Sequence, residues 1–163
     1  MTENTENTEN TSGSTPAVTT EIRVAIEQLV AEHHWLLDHG HADRLYTLYA
    51  EDAVSVGPLG TMNGRDAIKA WGERRVTQDA GTVRHFSGGT RLAWKDGVLT
   101  GTTYYTTFRS TQDDPLRPAS VGEFREEYVQ VDGEWRIRRR EIVPVFGGEN
   151  AAAHARRLAE AGK

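Results

Sequence analysis

The chain has 163 residues, 37% of them hydrophobic and 26% charged, with a net charge of −5. That length suits one domain with a real core, and the acidic balance argues against a nucleic-acid partner, which needs a basic field. No cysteine is present, so disulfides, thiolate nucleophiles and cysteine-based metal centres are excluded.

Residues 2–10 repeat Thr-Glu-Asn three times, and a polar Thr/Ser/Gly/Pro stretch follows. Such a segment buries too little to offset its ordering entropy, so 1–16 reads as a disordered tail. It lacks the basic-then-apolar order of a secretory leader. No apolar run further on is long enough for a bilayer. A cytoplasmic protein without membrane contact is the expectation.

From Val18 the pattern is helical: Ile22, Ile26, Leu29, Val30, His33, Leu36 and Leu37 form one apolar stripe. Thr19 or Thr20 caps its start, and Gly40 ends it. A second short helix is expected over Ala42–Ala50, a strand over Ala53–Val56 and a turn at Gly57-Pro58. Asn63 precedes a third helix, Arg65 to about Arg75. The second half reads as strands. Val83–Trp94 is broken by Gly88-Gly89, which suggests a bulge. Val98–Arg109 follows the Asp96-Gly97 turn, and Ala119–Val131 with Glu134–Phe146 makes a long hairpin across Asp132-Gly133. Residues 149–163 form an alanine-rich terminal helix or tail, leaving 17–148 as the domain. Helices followed by long hairpins indicate an α+β fold: helices on a curved antiparallel sheet, with a cavity between them.

Four of the six histidines lie between His33 and His41, with Asp38 among them. Clustered imidazoles suggest proton transfer or a metal, but no His-Glu-x-x-His spacing is present. Periodicity alone makes His33 a core histidine, His34 a flank residue and Asp38 its surface partner one turn on. His39 and His41 flank Gly40 and read as solvated. His85, opposite Phe86 by strand alternation, reads as structural. In Arg136–Arg140, positions 136, 138 and 140 share one face of a strand, with Glu123, Glu126, Glu127 or Glu141 as partners. One inward arginine there suits an anionic or carbonyl-bearing ligand. Nucleophile elbows and phosphate loops are lacking.

The order Trp35-Leu36-Leu37-Asp38-His39-Gly40-His41, Tyr49-Ala50-Glu51-Asp52-Ala53, Asn63-Gly64-Arg65-Asp66-Ala67-Ile68, Val83-Arg84-His85-Phe86 and Tyr128 with Asp132-Gly133-Glu134-Trp135 resembles the SnoaL-like branch of the nuclear-transport-factor-2-like superfamily. The resemblance covers about 18–146 and implies a cone-shaped α+β barrel. In motif it is similar to scytalone dehydratase and related Asp–His dyad lyases, through His85-Phe86-Ser87-Gly88-Gly89-Thr90-Arg91. It implies a catalytic pair, Asp38 and His85, with His33 as a third active-site position and Arg140 as the late-strand arginine. The tyrosine that precedes the dehydratase aspartate is Leu37 here, and the dehydratase's second histidine falls near Arg109, so the substrate-orienting set differs. Tyr104, Tyr49, Trp71 and Arg109 complete, with Arg140, the candidate substrate-binding residues.

The expected activity is that of a lyase, dehydratase-like and without cofactor or metal, acting on a small, partly apolar cyclic or polyketide-like substrate. Asp38 would fix the His85 tautomer while the other ring nitrogen moves a proton. The alternatives are a cyclase or isomerase using the same pair, or a non-catalytic ligand-binding module. The resemblance also implies a homodimer or homotrimer, with Phe124, Tyr128 and Trp135 in either the core or the interface.

Overall fold

Thr19 starts the first helix: its hydroxyl accepts a hydrogen bond from the Ile22 N–H at 3.3 Å, satisfying one of the first-turn donors. The computed structural model describes residues 16–146 apart from 59, 80 and 115, and in it helix α1 spans Thr20–Asp38. Gly40, at φ 79°, turns the chain away in the left-handed region that glycine tolerates. A 3-10 helix follows, Ala42–Leu48, then strands β1 (Tyr49–Gly57) and β2 (Gly60–Asn63) and helix α2 (Arg65–Asp79). Strands β3 (Val83–Ser87), β4 (Arg91–Lys95), β5 (Val98–Arg109), β6 (Ser120–Val131) and β7 (Glu134–Phe146) complete the order. The expected tail and the expected terminal helix lie outside the described residues.

Three expectations need correction. The second helix is a 3-10 turn that stops at Leu48, and β1 begins at Tyr49, four residues before the strand expected at Ala53. Tyr49 and Ala50 are buried as strand residues in the main core cluster, which overrides their helical reading. Residues 60–63 form β2, a strand that Gly57-Pro58 concealed as a plain turn. Finally, the sheet is mixed. Its strand order is β2-β1-β7-β6-β5-β3, with β4 also on β5, and β1 runs parallel to β7. Hairpins force antiparallel pairing only between consecutive strands. β1 and β7 are joined by nearly the whole domain, long enough for a parallel crossover.

The Gly88-Gly89 bulge is present. Ser87 pairs with Tyr105 and Arg91 with Thr102. Residues 88, 89 and 90 thus face only Thr103 and Tyr104, leaving one residue extra.

The apolar stripe of α1 meets the concave face of the sheet. Ile26, Leu29 and Val30 pack with Leu99, Tyr128 and Ile137, each large side chain contributing about 1.5–3 kcal/mol by burial. Phe124 and Tyr128 belong to this interior, and Trp135 packs against it beside Trp94. A second cluster of Leu36, Ala42 and Leu45 takes Trp71 from α2. There Gly72 lies so near the 3-10 helix that a Cβ would meet the Ala42 carbonyl oxygen at 2.1 Å. Among the described residues, no helix is long and apolar enough to cross a membrane.

Candidate active site

Asp38 is the last residue of α1, where the helix leaves its final carbonyls without intrahelical partners. Its main-chain carbonyl accepts from Arg84 Nη1 at 2.7 Å. This ties the helix end to β3, an edge strand. Because β3 is an edge, the His85 main-chain N–H is available outside the ladder, and it donates to Asp38 Oδ2 at 2.8 Å. The other carboxylate oxygen, Oδ1, holds His85 Nδ1 at 2.6 Å. Both side chains are nearly enclosed, 7% exposed for Asp38 and 10% for His85. A carboxylate bonded to Nδ1–H leaves Nε2 as the basic nitrogen. Burial lowers the His85 pKa, the bond and charge of Asp38 raise it, and Arg140 and Arg109 lower it again; the net shift is downward.

His34 is the third member, and periodicity misplaced it. It is buried, not on the flank. Its ring lies parallel to His85, 5.1 Å between centroids and 5° between planes. Its Nδ1 is 3.3 Å from Ser87 Oγ on β3. The signal for it was the four-residue step to Asp38, which puts both on one helix face. Burial, helped by the Arg140 and His85 charges, takes its pKa to about 2, so the ring is neutral at neutral pH.

His33 points deeper. Its Nε2 is 2.9 Å from the Tyr49 hydroxyl, and its ring meets His34 edge-on at 5.9 Å. Burial first, then the charge of Arg140, holds its pKa well below the usual value. Burial pushes the Tyr49 phenol up to about 12, so it stays protonated.

Arg140 reaches this interior because of a bulge. Tyr128 pairs with Ile137 but Glu127 with Arg139, leaving Arg138 as the extra residue on β7. Ile137 and Arg140 therefore both face inward, and the expectation that 136, 138 and 140 share a face fails. The Arg140 guanidinium lies 4.0 Å from the Phe124 ring centroid, and its Nη1 donates to Glu126 Oε1 at 2.6 Å. Tyr128 donates to the other Glu126 oxygen at 2.7 Å. Desolvation opposes the Arg140 charge, but Glu126 outweighs it, so the guanidinium pKa is raised. Burial and the Glu126 charge also raise Tyr128.

Three nitrogens in this cluster are buried without a hydrogen-bond partner among the described residues: His33 Nδ1, His34 Nε2 and Arg140 Nε. Each unmet polar atom of this kind costs about 1–3 kcal/mol. Each such group calls for an explanation, and a catalytic role or a bound water or ion is among the ordinary ones.

The remaining expected residues divide. Arg109, at the end of β5 opposite Val83, contributes its charge to the His85 environment. Tyr104 is 69% exposed on the outer sheet face. Strand alternation turns Tyr105 inward instead, stacked on Phe124 at 4.1 Å. Trp71 packs against the Leu36, Ala42 and Leu45 cluster, its ring 5.7 Å from the Arg75 guanidinium. His39 and His41 stack on the half-exposed Trp35. Among the described residues, no three acidic or histidine side chains are grouped to hold a metal ion. The groups brought together are a carboxylate-held imidazole, two neutral histidines, a protonated phenol and a paired guanidinium. That set can move a proton and donate hydrogen bonds to an oxygen.

Solved structures share this architecture. A nuclear-transport-factor-2-like protein with a cystatin-like fold from Novosphingobium aromaticivorans is 27% identical, with a TM-score of 0.66 over 82% of this chain and 88% of that one. A proposed scytalone dehydratase from the same organism is 24% identical, with a TM-score of 0.64 over 76% and 83%. A type 2 hexachlorocyclohexane dehydrochlorinase is 16% identical, with a TM-score of 0.63 over 76% and 85%. No curated protein matches the chain. The family described as SnoaL-like domain matches residues 18–141, and the chain belongs to it.

Proposed function

We propose that the protein is a lyase of the dehydratase type, acting on a small, partly apolar cyclic or polyketide-like carbonyl compound. The observation that carries this reading is the two-point hold of Asp38 on His85. In the proposed step, His85 Nε2 takes the proton from the carbon next to the carbonyl. The C–H electrons pass through the enolate to form the new double bond. The β C–O bond breaks, and the departing hydroxyl takes the same proton from His85, leaving as water. The imidazole returns to neutral, and Asp38 stabilises its charged form in between. The downward-shifted His85 suits a base that is unprotonated at neutral pH. The proposed dehydratase and the dehydrochlorinase among the similar structures bear names of the same reaction class, which adds weight to elimination.

The test is a panel of cyclic β-hydroxyketones incubated with the protein and read by product mass. Elimination yields a product lighter by one water, and His85→Ala reduces it to a small residual rate while the protein remains folded. A product of unchanged mass indicates isomerisation or cyclisation instead; equal turnover by His85→Ala sinks the acid–base reading altogether.

We also propose self-association through the outer sheet face, where Phe86 is 63% exposed with its ring edge-on to Phe108, on the same face as Tyr104. Exposed aromatics grouped in this way favour an interface. Sedimentation of the wild type as a dimer or trimer, and of Phe86→Ser as a smaller species, is the expected result; a wild-type monomer contradicts it.

A further inference from the structure

We propose that His34 is a ligand-binding residue, its Nε2–H donating a hydrogen bond to a carbonyl or enolate oxygen of a planar substrate beside His85. The role rests on Asp38–His85 being the reacting pair, and it adds what the substrate presents to that pair. Three observations support it. First, His34 lies flat against His85, 5.1 Å between ring centroids, so a ligand atom held by one imidazole is close to the other. Second, Ser87 Oγ engages His34 Nδ1 at 3.3 Å. The contact suits either tautomer; with the hydroxyl taken as donor, the ring proton sits on Nε2. Third, that Nε2 is buried and has no partner among the described residues.

The neighbours define the ligand's character. His33 Nδ1 and Arg140 Nε are also buried and unpartnered among the described residues; His33 meets His34 edge-on, and His34 and Arg140 both lie against Phe124. Glu126 already neutralises Arg140. A fully charged carboxylate would therefore meet no uncompensated cation, whereas a carbonyl oxygen that gains negative charge only during reaction meets several donors. Burial keeps His34 neutral, so it adds no repulsion when His85 takes up a proton. The ring thus acts as a fixed hydrogen-bond donor and not as a proton source.

β-Naphthol, a flat ring bearing one oxygen, is the probe, and naphthalene is its oxygen-free control. Heteronuclear NMR of the full chain should show His34 as the neutral Nε2–H tautomer, and β-naphthol should shift that resonance downfield. The wild type should prefer β-naphthol over naphthalene by about tenfold, the size of one hydrogen bond. His34→Phe keeps a flat ring on His85 and should lose that preference; His34→Gln keeps a donor and should retain most of it. If His34→Phe fails to fold, the wild-type resonance and His34→Gln decide. An Nδ1–H tautomer, an unmoved Nε2–H resonance, an unchanged preference in His34→Phe, a preference lost in His34→Gln, or no β-naphthol binding at millimolar concentration each overturns the proposal. None of these readouts needs turnover. An inactive dyad would leave them standing, and a failed hydrogen bond would leave the elimination test untouched.

Discussion

Asp38 holds both the side chain and the main chain of His85, with Oδ1 on the ring at 2.6 Å and Oδ2 on the amide at 2.8 Å. Rotating the ring breaks the Oδ1 bond, while the Oδ2 bond to the β3 amide keeps the carboxylate aimed at it. Asp38→Asn keeps the size of the side chain but removes the charge and one of the two acceptors. It should reduce kcat by about 10²–10⁴-fold, the usual range for disabling acid–base catalysis. Steady-state rates on the substrate found by product mass check this.

The buried histidines make stability depend on acidity. Folded His34 protonates only near a pKa of about 2, against 6.5 ordinarily, and His33 is also lowered. Below 6.5 the unfolded chain binds protons that the folded chain refuses. Their contribution is full above that pH and declines as pH falls towards the folded values. The slope approaches about 1.4 kcal/mol per pH unit for each such histidine. Urea unfolding from about pH 7 to about pH 5 should show this decline, and His34→Phe should remove one histidine's share. A stability that does not change over this range contradicts the burial of these rings as neutral species.

Arg140 and Glu126 form an enclosed ion pair, 2% and 0% exposed, and Glu126 also accepts from Tyr128. Glu126→Gln leaves the guanidinium unpaired in the interior. It should lower the unfolding free energy by about 3–5 kcal/mol. Tyr128→Phe removes one hydrogen bond to a charged acceptor and should cost about 1.5–3 kcal/mol. Denaturant titration of both variants gives the comparison, and an equal or larger loss in Tyr128→Phe contradicts it.

Much of the fold was legible in the sequence because local rules govern it. The α1 stripe, its Thr19 cap, the Gly88-Gly89 bulge and the β6–β7 hairpin all follow from periodicity and turn chemistry. The site was legible only in part. Periodicity found His33 but not Asp38, because Asp38 closes the helix and becomes buried only when β3 docks there through Arg84. Resemblance to a family supplied Asp38 and His85. Two errors were errors of parity. Arg140 is inward, but the extra residue at Arg138 shifts β7 so that 136 and 138 do not share its face, and Tyr105 faces inward where Tyr104 was expected. The β1–β7 pairing joins strands far apart in the chain, where no local signal operates.

Gly72 tests the close seat of α2 on the 3-10 helix. Alanine normally favours a helix interior by about 1 kcal/mol over glycine. Here its Cβ would fall 2.1 Å from the Ala42 carbonyl oxygen, a backbone atom that cannot rotate away. Overpacking of about 1–3 kcal/mol should outweigh the propensity gain. Gly72→Ala should therefore melt at a lower temperature than the wild type; a higher melting temperature contradicts the packing described.

The central claim is that Asp38 and His85 act as one unit, and a double-mutant cycle tests it most directly. Turnover of the eliminated substrate is measured for the wild type, Asp38→Ala, His85→Ala and the double variant. If the carboxylate works only through the imidazole, the double variant is no slower than His85→Ala alone. Losses that multiply, so that the double variant falls by the product of the two single effects, would contradict it.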